Sequence, residues 1–392
     1  MPEYSGSGFR AHNLYKRLCV KQSDINLTVL SGSVTENESA VYDYDGVSVH
    51  RIAGKIYPDL SSNALLRKYQ IARNFYAEYK LTTNFLRNSQ KFNLIHIFGQ
   101  DYVSATVLNY AKQQNIPTLI ELCNEMDNPH HYIPFPFSLA ITGKPPLDYK
   151  FICISERLKK VCLKNGVPEK NIWCRPNPIN EKLFKPVTED IKIKLRSSLT
   201  KFSADDKLIV YVAKYIPRKN HIFLIDVIKN LPEQYKLFIS GPVAEEGPLK
   251  KEGGTVLEDI KLSIETNKLS DRVQFEHGFC ENIEKYYQMA DFYLFPTKEE
   301  GLGTPMLEAV ACAVPVIANL IPGITDSWIR NGENGFTLQL DSAKFAEKII
   351  ESESITADKM AEESKKIIKT AGTESIDKVY ADLINNYTKA IM

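Results

Sequence analysis

The chain has 392 residues, of which 43% are hydrophobic and 25% are charged, a composition typical of a globular protein that is too long for one ordinary core. Its net charge of +1 gives no sign of a nucleic-acid partner, no apolar run is long enough to cross a bilayer, and the N-terminus lacks the apolar core of a secretory signal. Seven scattered cysteines without a C-x-x-C pair favour reduced thiols over disulfides or structural zinc, so we expect a cytoplasmic protein of two domains.

The chain offers very little strand before its first helical pattern. Only Met1-Pro2-Glu3-Tyr4 precede the glycines of "SGSG" (residues 5–8), whereas a strand needs about five or six residues. Two interpretations stay open: the protein begins upstream of Met1, or its first domain lacks the strand that usually leads into a glycine turn.

Short apolar runs then alternate with longer helical patterns. Strands are predicted at 93–99, 117–122, 150–155, 207–213, 236–241, 273–278, 291–296 and 315–319. Helices are predicted at 102–114, 156–165, 221–231, 255–268 and 305–313, with two more within 355–390. This alternation predicts an α/β protein with parallel sheets and covering helices, and the proline-rich segment 176–190 is the predicted connection between its halves.

A short basic loop follows the strand predicted at 207–213. Lys214 and Lys219 in this loop lie just beyond the carboxyl end of the strand. Such cations are suited to neutralising a diphosphate and stabilising it as a leaving group. The alternative is a solvated basic loop without function.

The segment "EEGLGTPMLEAVACAVPVIA" (residues 299–318) places two carboxylates, Glu300 and Glu308, eight positions apart. Gly301 and Gly303 between them allow the main chain to approach a ligand closely. Carboxylates accept hydrogen bonds from hydroxyl groups, so each acid is suited to hold a sugar ring. The alternative is an ordinary strand, turn and helix with two solvated acids.

A helix is predicted to begin within this segment, with Thr304 as its cap and Pro305 at its first position. The unpaired amides at residues 304–307 and the positive end of the helix dipole form an anion site. An anion site flanked by two carboxylates indicates a ligand that carries both phosphate and hydroxyl groups, as a nucleotide sugar does.

Together these segments resemble the retaining nucleotide-sugar glycosyltransferases of glycosyltransferase family four. The resemblance is strongest over residues 290–319 and weaker at 5–18, 166–186 and 332–338. It implies an α/β protein with two facing Rossmann-like doubly wound domains of the glycosyltransferase B type and a cleft between them. The implied domains are residues 1–183 on the acceptor side and 184–370 on the donor side, with a final helix at 371–392 that returns to the first domain.

The resemblance also implies roles for the acidic segment. Glu300 would contact the hydroxyl groups of the donor sugar near the reacting carbon, and Glu308 would hold the ribose hydroxyls. The backbone amides of Leu302, Gly303 and Thr304 would face the sugar and the diphosphate.

The resemblance assigns the diphosphate itself to other residues. Lys219 would match the family's phosphate-binding lysine. Lys214 stands where the family usually has arginine, so the positive charge is kept but the planar guanidinium, which can donate two parallel hydrogen bonds, is lost. Gly6 and Gly8 would let a loop of the first domain close over the diphosphate. Glu300 and Lys219 are therefore the predicted catalytic residues, with no cofactor and no essential metal.

The acceptor side is less well defined. The family often has a histidine after one of its N-terminal strands, whereas "PTLIELCNEMDNPHH" (residues 117–131) offers Glu121, Asn124 and His130 as candidates, with Cys123 and the second histidine nearby. The aromatic, proline-rich segment 130–146 is the predicted acceptor wall.

Three other signals each allow two interpretations. Asp43 and Asp45 have a metal-binding spacing, but the Asp-Gly pair between alternating strands favours a hairpin turn. His96 lies inside the apolar strand predicted at 93–99, which favours its interpretation as a core histidine over that as a catalyst. Residues 67–91, in which bases and aromatics alternate, favour a helix packed on the sheet over contact with a membrane or lipid-linked acceptor.

The charge is distributed unevenly along the chain. Residues 1–186 hold 23 Lys and Arg against 16 Asp and Glu, whereas the remainder holds 26 against 32, so the halves carry +7 and −6. A basic first half favours an anionic acceptor or peripheral contact with the inner face of the membrane. Random variation of surface charge explains the difference equally well.

The predicted activity is transfer of a sugar from a nucleoside-diphosphate sugar to an acceptor hydroxyl with retention of configuration. The predicted acceptor is a carbohydrate or a lipid-linked molecule, in the assembly of a polysaccharide, lipopolysaccharide or glycolipid. One alternative is a non-catalytic or partner-dependent subunit that binds nucleotide sugars. Another is an epimerase or phosphorylase on the same architecture, although the sequence shows no context for the pyridoxal lysine that a phosphorylase needs.

Overall fold

The chain passes between two structural units at Arg175–Pro176 and again at Ser375–Ile376. The computed structural model describes residues 6–22, 24–33, 38–123, 128–243, 248–278 and 280–389. Unit 1 comprises residues 1–175 with 376–392, and unit 2 comprises residues 176–375. The sequence predicts these changes after residues 183 and 370, so the boundaries in the structure lie eight residues earlier and five residues later.

Unit 1 begins with a helix and continues with alternating strands and helices. Its elements are α1 (Gly6–Lys21), β1 (Val29–Gly32), β2 (Ala40–Tyr44), β3 (Val47–Ile52), α2 (Ala64–Asn88), β4 (Ile95–Phe98), α3 (Tyr102–Gln114), β5 (Thr118–Leu122), β6 (Lys150–Cys153), α4 (Glu156–Lys164) and β7 (Ile172–Cys174). Strands β4, β5, β6 and β7 form a parallel sheet in that order. Leu119, Ile120, Phe151 and Ile152 are fully buried, as expected for strands covered on both faces.

The Asp-Gly pair forms the hairpin turn that the sequence favours. β2 and β3 pair in antiparallel register, with Tyr44 opposite Val47. Asp45 and Gly46 have φ angles of 51° and 82°, the left-handed values that a two-residue hairpin turn requires. Asp43 accepts a hydrogen bond from the Gly46 amide at 3.0 Å, so this acid stabilises the turn.

α2 confirms the prediction of a packed helix in the segment of bases and aromatics. Asn74, Phe75, Glu78, Thr82 and Leu86 recur every three or four positions and are buried, and the helix packs against α3. Asn63 caps the helix by accepting hydrogen bonds from the Leu65 and Leu66 amides.

Unit 2 repeats the alternation of strand and helix. Its elements are α5 (Glu189–Leu199), β8 (Lys207–Val212), α6 (His221–Lys229), β9 (Tyr235–Ser240), α7 (Pro248–Thr266), β10 (Val273–Phe275), α8 (Glu284–Gln288), β11 (Phe292–Phe295), α9 (Thr304–Ala311), β12 (Val316–Asn319), β13 (Gly335–Leu338), α10 (Ser342–Glu351) and α11 (Ala357–Ala371). These strands form one parallel sheet in the order β10-β9-β8-β11-β12-β13. The fold is therefore α/β with two Rossmann-like units, as the sequence predicts.

The last helix, α12 (Thr373–Lys389), begins in unit 2 and belongs to unit 1 from Ile376 onward. Ile376, Tyr380 and Ile384 recur every four positions and pack in the core of unit 1 with Leu14 and Leu18 of α1. Asp377 accepts two hydrogen bonds from Arg17, both 2.9 Å long. Among the helices that the structure describes, none is long and apolar enough to span a membrane.

The strands and helices predicted from periodicity are all present, with ends that differ by a few residues. The sequence does not predict six elements: the strands β1, β7 and β13, the five-residue helix α8, and the two longer helices α5 and α10. Each of the three strands has only three or four residues. Both longer helices begin in polar sequence, at Glu189 and Ser342.

Candidate functional site

The strand order of the unit 2 sheet reverses between β8 and β11. β9 and β10 lie on one side of β8, and β12 and β13 lie on the far side of β11. Because the strands are parallel, their carboxyl ends share one edge, and open α/β sheets bind ligands in the crevice at such a reversal. The loops that follow β8 and β11 carry Lys214, Lys219 and Glu300.

Lys219 and Glu300 meet at this edge. The Lys219 ammonium donates a hydrogen bond to Oε1 of Glu300, and the Thr297 hydroxyl donates to the same oxygen at 3.2 Å. The Arg218 guanidinium lies 3.8 Å from Oε2 of Glu300. Burial lowers the pKa of Lys219, and the Glu300 carboxylate opposes that shift. Both side chains of the pair are 12% exposed, so a ligand can still reach them.

Hydrogen bonds to the backbone hold the two loops against each other. The Lys298 amide donates to the Arg218 carbonyl at 2.9 Å, and the Asn220 side chain donates to the Pro296 carbonyl at 3.3 Å. The Tyr211 hydroxyl, buried in β8, donates to the Lys219 carbonyl at 2.8 Å. The position of the Lys219 ammonium is therefore fixed by the fold as well as by Glu300.

Lys214 follows β8 directly and is partly buried. It makes no hydrogen bond or ion pair with any residue that the structure describes. The sheet edge thus carries one cation already paired with a carboxylate and another that is available to an anion.

α9 begins differently from the prediction. Its cap is Gly303, which has the left-handed φ of 81°, and Thr304 is the first helical residue instead of the cap. The Thr304 hydroxyl instead accepts a hydrogen bond of 2.7 Å from the Asn177 side chain. Glycine is needed at 303 because of this φ, and a Cβ atom there would also lie 3.0 Å from the Phe295 ring.

The start of α9 presents backbone donors. Within the described part of the chain, the amides of Leu302, Gly303 and Thr304 have no hydrogen-bond partner, and Pro305 has no N–H. The Met306 amide, in contrast, donates to the Gly303 carbonyl at 3.0 Å. Three consecutive unpaired amides at the positive end of a helix can bind an anion or a polar oxygen.

Glu308 lies in the second turn of α9, and its Oε2 accepts a hydrogen bond of 3.0 Å from the Tyr287 hydroxyl. Burial raises the pKa of Glu308 to about 7, and the Tyr287 hydrogen bond opposes the shift. The residue is still partly exposed. Glu308 can therefore change its charge near neutral pH when a ligand binds.

Two predicted donor residues belong to unit 1. Contrary to the expectation of a glycine loop, Gly6 and Gly8 both lie in the first turns of α1, and Gly8 is exposed. Helical backbone uses its amides internally after the first turn, so any ligand contact of these residues comes from the beginning of the helix.

Glu121, predicted on the acceptor side, is fully buried at the end of β5. Arg175 donates a hydrogen bond of 2.7 Å to one carboxylate oxygen, and the Tyr380 hydroxyl donates one of 2.6 Å to the other. Burial alone would raise the pKa of Glu121, but the Arg175 charge and His96 outweigh it and hold the pKa at about 2. These contacts favour a structural role for Glu121 over contact with an acceptor.

His96 takes part in the same buried network. Its Nδ1 lies 2.8 Å from the Tyr15 hydroxyl and its Nε2 lies 3.4 Å from Glu121. Its side chain is 3% exposed, and burial lowers its pKa. The interpretation of His96 as a core histidine is confirmed.

The other acceptor-side candidates lie beyond β5. Asn124 lies outside the described residues. His130 is partly buried in the loop between β5 and β6, and its amide donates to the Asn128 side chain at 2.8 Å. Among the described residues, no group of three or more His, Cys, Asp or Glu side chains is arranged to hold a metal ion.

Three residues of the site were missed by the sequence analysis. Thr297 contacts Glu300, Tyr287 contacts Glu308, and Asn177 contacts Thr304. Thr297 lies only three positions before Glu300, so the sequence alone predicts that the two residues are close together. Tyr287 and Asn177 are 21 and 127 positions from their partners, and only the fold brings them together.

Comparisons with known proteins agree with this geometry. The family model "Glycosyl transferases group 1" matches residues 195–372, which lie within unit 2. The chain is 33% identical over 175 residues to the putative glycosyltransferase EpsD of Bacillus subtilis, covering 44% of this chain and 42% of that protein. This match therefore spans less than half of either protein.

Longer similarity is found to two further proteins. The chain is 25% identical over 326 residues to the alpha-monoglucosyldiacylglycerol synthase of Acholeplasma laidlawii, covering 77% of this chain and 78% of that protein. The crystal structure of HepE from Anabaena, in complex with UDP and glucose, superposes with a TM-score of 0.69 at 17% identity and covers 98% of this chain and 97% of its own. The comparisons support a glycosyltransferase of the B-type fold, and one relative is named for the synthesis of a glycolipid.

Proposed function

We propose that this chain transfers a sugar from a nucleoside-diphosphate sugar to an acceptor hydroxyl, with retention of configuration as in glycosyltransferase family four. The observation that carries the proposal is the Lys219–Glu300 pair at the reversal of the unit 2 sheet, beside the three unpaired amides that begin α9. This edge combines cations, backbone donors and a carboxylate. A diphosphate and the hydroxyls of a hexose need these groups together.

Charge stabilisation of the leaving group is the main catalytic contribution. As the bond between the sugar and the diphosphate breaks, negative charge grows on the departing phosphate oxygen. Lys214 and Lys219 lie on the loop that ends β8, where two ammonium groups can neutralise that charge. Glu300 would accept hydrogen bonds from the sugar hydroxyls and so fix the ring while the bond breaks.

Retention follows from attack on the same face that the diphosphate leaves. No described side chain at the sheet edge is an evident nucleophile, so we favour front-face transfer. The departing phosphate oxygen then takes the proton of the acceptor hydroxyl as the new glycosidic bond forms. This step needs no cofactor, because the leaving group itself serves as the base.

Glu308 would bind the nucleoside part of the donor. As a carboxylate it is an acceptor for two ribose hydroxyls, whereas the protonated acid can accept less. HepE was crystallised with UDP and glucose, which makes uridine diphosphate sugars the first donors to test.

A lipid-linked acceptor at the inner face of a membrane is the acceptor that we favour. The Acholeplasma relative is named for a glycolipid product, and unit 1 exposes apolar side chains along α2. Leu65, Tyr69 and Tyr76 are exposed on the same helix face as Arg73 and Lys80. Such a face suits the interface of an anionic bilayer.

A donor screen tests the proposal. The full chain is incubated with uridine, guanosine and adenosine diphosphate sugars, with and without carbohydrate or lipid acceptors, and release of nucleoside diphosphate is measured. We expect release with donors of one base, accelerated by the right acceptor, and NMR of the product should show the anomeric configuration of the donor. Measurable donor binding without release from any donor would instead support the non-catalytic subunit.

A further inference from the structure

The loop between β5 and β6 lines an open cavity of about 260 Å³ in unit 1. Its apolar walls are Ile133 and Ile141, and its polar lining is His130, His131, Ser138, Thr142 and Lys144. A water molecule occupies about 30 Å³ of the liquid, so the cavity has room for a small solute.

Hydrogen bonds hold the backbone of the loop that lines this cavity. The His131 amide donates to the Gly143 carbonyl at 2.8 Å, which joins the two ends of the segment. A Cβ atom at Gly143 would lie 1.8 Å from the His131 carbonyl oxygen, so only glycine permits this contact. Gln100, which follows β4, donates to the Asn128 carbonyl and anchors the loop at the carboxyl edge of the unit 1 sheet. The cavity is therefore part of the fold and lies at the sheet edge where ligands commonly bind.

The titratable side chains that line the cavity, those of His130, His131 and Lys144, are all basic. Residues 128–147 contain no Asp or Glu. Lys144 lines the cavity, and the Lys112 ammonium donates to the Lys144 carbonyl at 2.9 Å. Burial lowers the pKa of His130 and the Lys144 charge lowers it further, while Asn165 opposes the shift. His130 and Lys144 thus lie close enough to repel each other when both are protonated.

His130 also carries an unused polar atom. Its Nδ1 is buried and has no hydrogen-bond partner among the described residues. The Thr142 hydroxyl oxygen accepts a hydrogen bond of 3.2 Å from the Lys144 amide, so its own O–H remains able to donate. With its proton on Nδ1, His130 adds a donor to the Lys144 ammonium and the Thr142 hydroxyl, and this set of groups suits an anion.

We propose that this cavity binds a phosphate group, held by His130 and Lys144 with hydroxyl contacts from Ser138 and Thr142. The phosphate is either that of a phosphorylated acceptor or free inorganic phosphate, and both offer the same charged oxygens. The proposal does not depend on the transfer reaction, because binding alone defines the site.

Calorimetric titration of inorganic phosphate into the full chain tests the site. We expect saturable binding that weakens at least tenfold in Lys144→Gln and in His130→Gln. Lys91→Gln, an exposed lysine on the same unit, is the matched control and should bind as the wild type does. Phosphate bound at the proposed donor edge of unit 2 would respond to Lys214→Gln, whereas phosphate bound in the cavity would respond to Lys144→Gln and His130→Gln, so the variants separate the two sites.

A second arm distinguishes the sources of the phosphate. Binding of glycerol 3-phosphate at least as tight as that of inorganic phosphate, with no binding of glycerol, supports a phosphorylated acceptor. Tight binding of inorganic phosphate alone supports a free-phosphate site. Circular dichroism and thermal unfolding confirm that each variant is folded. Absence of phosphate binding to the wild type, or binding that folded Lys144→Gln and His130→Gln both retain, would overturn the proposal.

Discussion

Lys219 and Glu300 are 81 positions apart in the chain and are joined by a hydrogen bond between the ammonium and the carboxylate Oε1. The bond links the loop after β8 to the loop after β11 across the reversal of the sheet. A diphosphate that approached Lys219 would compete with Glu300 for the same ammonium. Glu300 would then be released to accept hydrogen bonds from the donor sugar, so one binding event would prepare both groups.

Glu300→Gln should separate binding from turnover. The amide cannot compete for Lys219 as a carboxylate does, so we expect nucleoside diphosphate to bind as tightly as in the wild type or a few times more tightly. Turnover should fall about 100-fold or more, the size of effect seen when one preorganised group is removed from an active site. Titration calorimetry and product release give the two quantities. Glu299→Gln changes the exposed neighbouring acid and should alter neither; equal losses in both variants would contradict the assignment.

The two lysines should differ in their effect on stability. Lys214 has no partner among the described residues, so Lys214→Gln should weaken donor binding about tenfold without changing the melting temperature. Lys219→Gln should weaken binding and also lower the melting temperature, because it leaves the partly buried Glu300 carboxylate without its hydrogen-bonded cation.

Differential scanning fluorimetry with and without donor separates these outcomes. Lys229→Gln, an exposed lysine at the end of α6, is the control for loss of one positive charge. If Lys214→Gln binds donor as the wild type does, this lysine has no part in the site.

Donor affinity should depend on pH through Glu308. Its pKa is raised to about 7, so the carboxylate that would accept ribose hydrogen bonds is formed only as pH rises through that value. We expect affinity for a nucleoside-diphosphate sugar to increase between pH 6 and 8 and then to level off, since both phosphates are esterified and keep their charge. Glu308→Gln should bind more weakly and lose the pH dependence. An unchanged pH profile in that variant would assign the titration to another group.

The raised pKa of Glu308 also affects stability. The folded state holds its proton up to about pH 7, whereas an ordinary glutamate loses it near 4.5. Between these values the folded state binds more protons than the unfolded state, so this residue makes the free energy of unfolding fall as pH rises. Bound donor should reverse part of that loss, because it favours the ionised form.

Most of the fold was readable from the sequence because its strands are buried and its helices are amphipathic. The apolar run at 207–213 became β8 and the pattern at 102–114 became α3 with the same bounds. The short strands were missed because three or four residues do not establish a period. The left-handed Asn220, which precedes α6 with a φ of 56°, stands outside any periodic pattern and is fixed only by the loop.

For the candidate site, the sequence predicts the position of some residues correctly and that of others incorrectly. Parallel strands bring their carboxyl ends to one edge, so the alternation of strands and helices in the sequence is enough to place the loops of Lys219 and Glu300 at the same edge. The cap of α9 was misplaced by one residue because Gly303 and Thr304 are both acceptable caps in sequence, and only the Asn177 contact decides between them. Glu121 was taken for an acceptor-side group because nothing in the sequence indicates that Arg175 and Tyr380 surround it.

Glu121→Gln should therefore lower the free energy of unfolding of unit 1 without a specific effect on turnover. The change leaves the buried Arg175 guanidinium without its counter-charge, which costs about 3–5 kcal/mol in comparable pairs. Denaturant unfolding measures this loss, and Glu169→Gln, an exposed acid of the same unit paired with Lys159, is the control that should change stability little. If Glu121 contacts the acceptor instead, turnover would fall while the free energy of unfolding stayed at the wild-type value.

The pH dependence of unfolding gives an independent check on the same residue. The folded pKa of Glu121 is held at about 2, below the ordinary 4.5, so the unfolded state binds its proton first as the solution is acidified. The stabilisation is complete above about pH 5 and is lost as pH falls toward 2. Between pH 5 and 3 the wild type should therefore lose stability more steeply than Glu121→Gln. Parallel curves for the two proteins would mean that the Arg175 charge does not hold this carboxylate ionised.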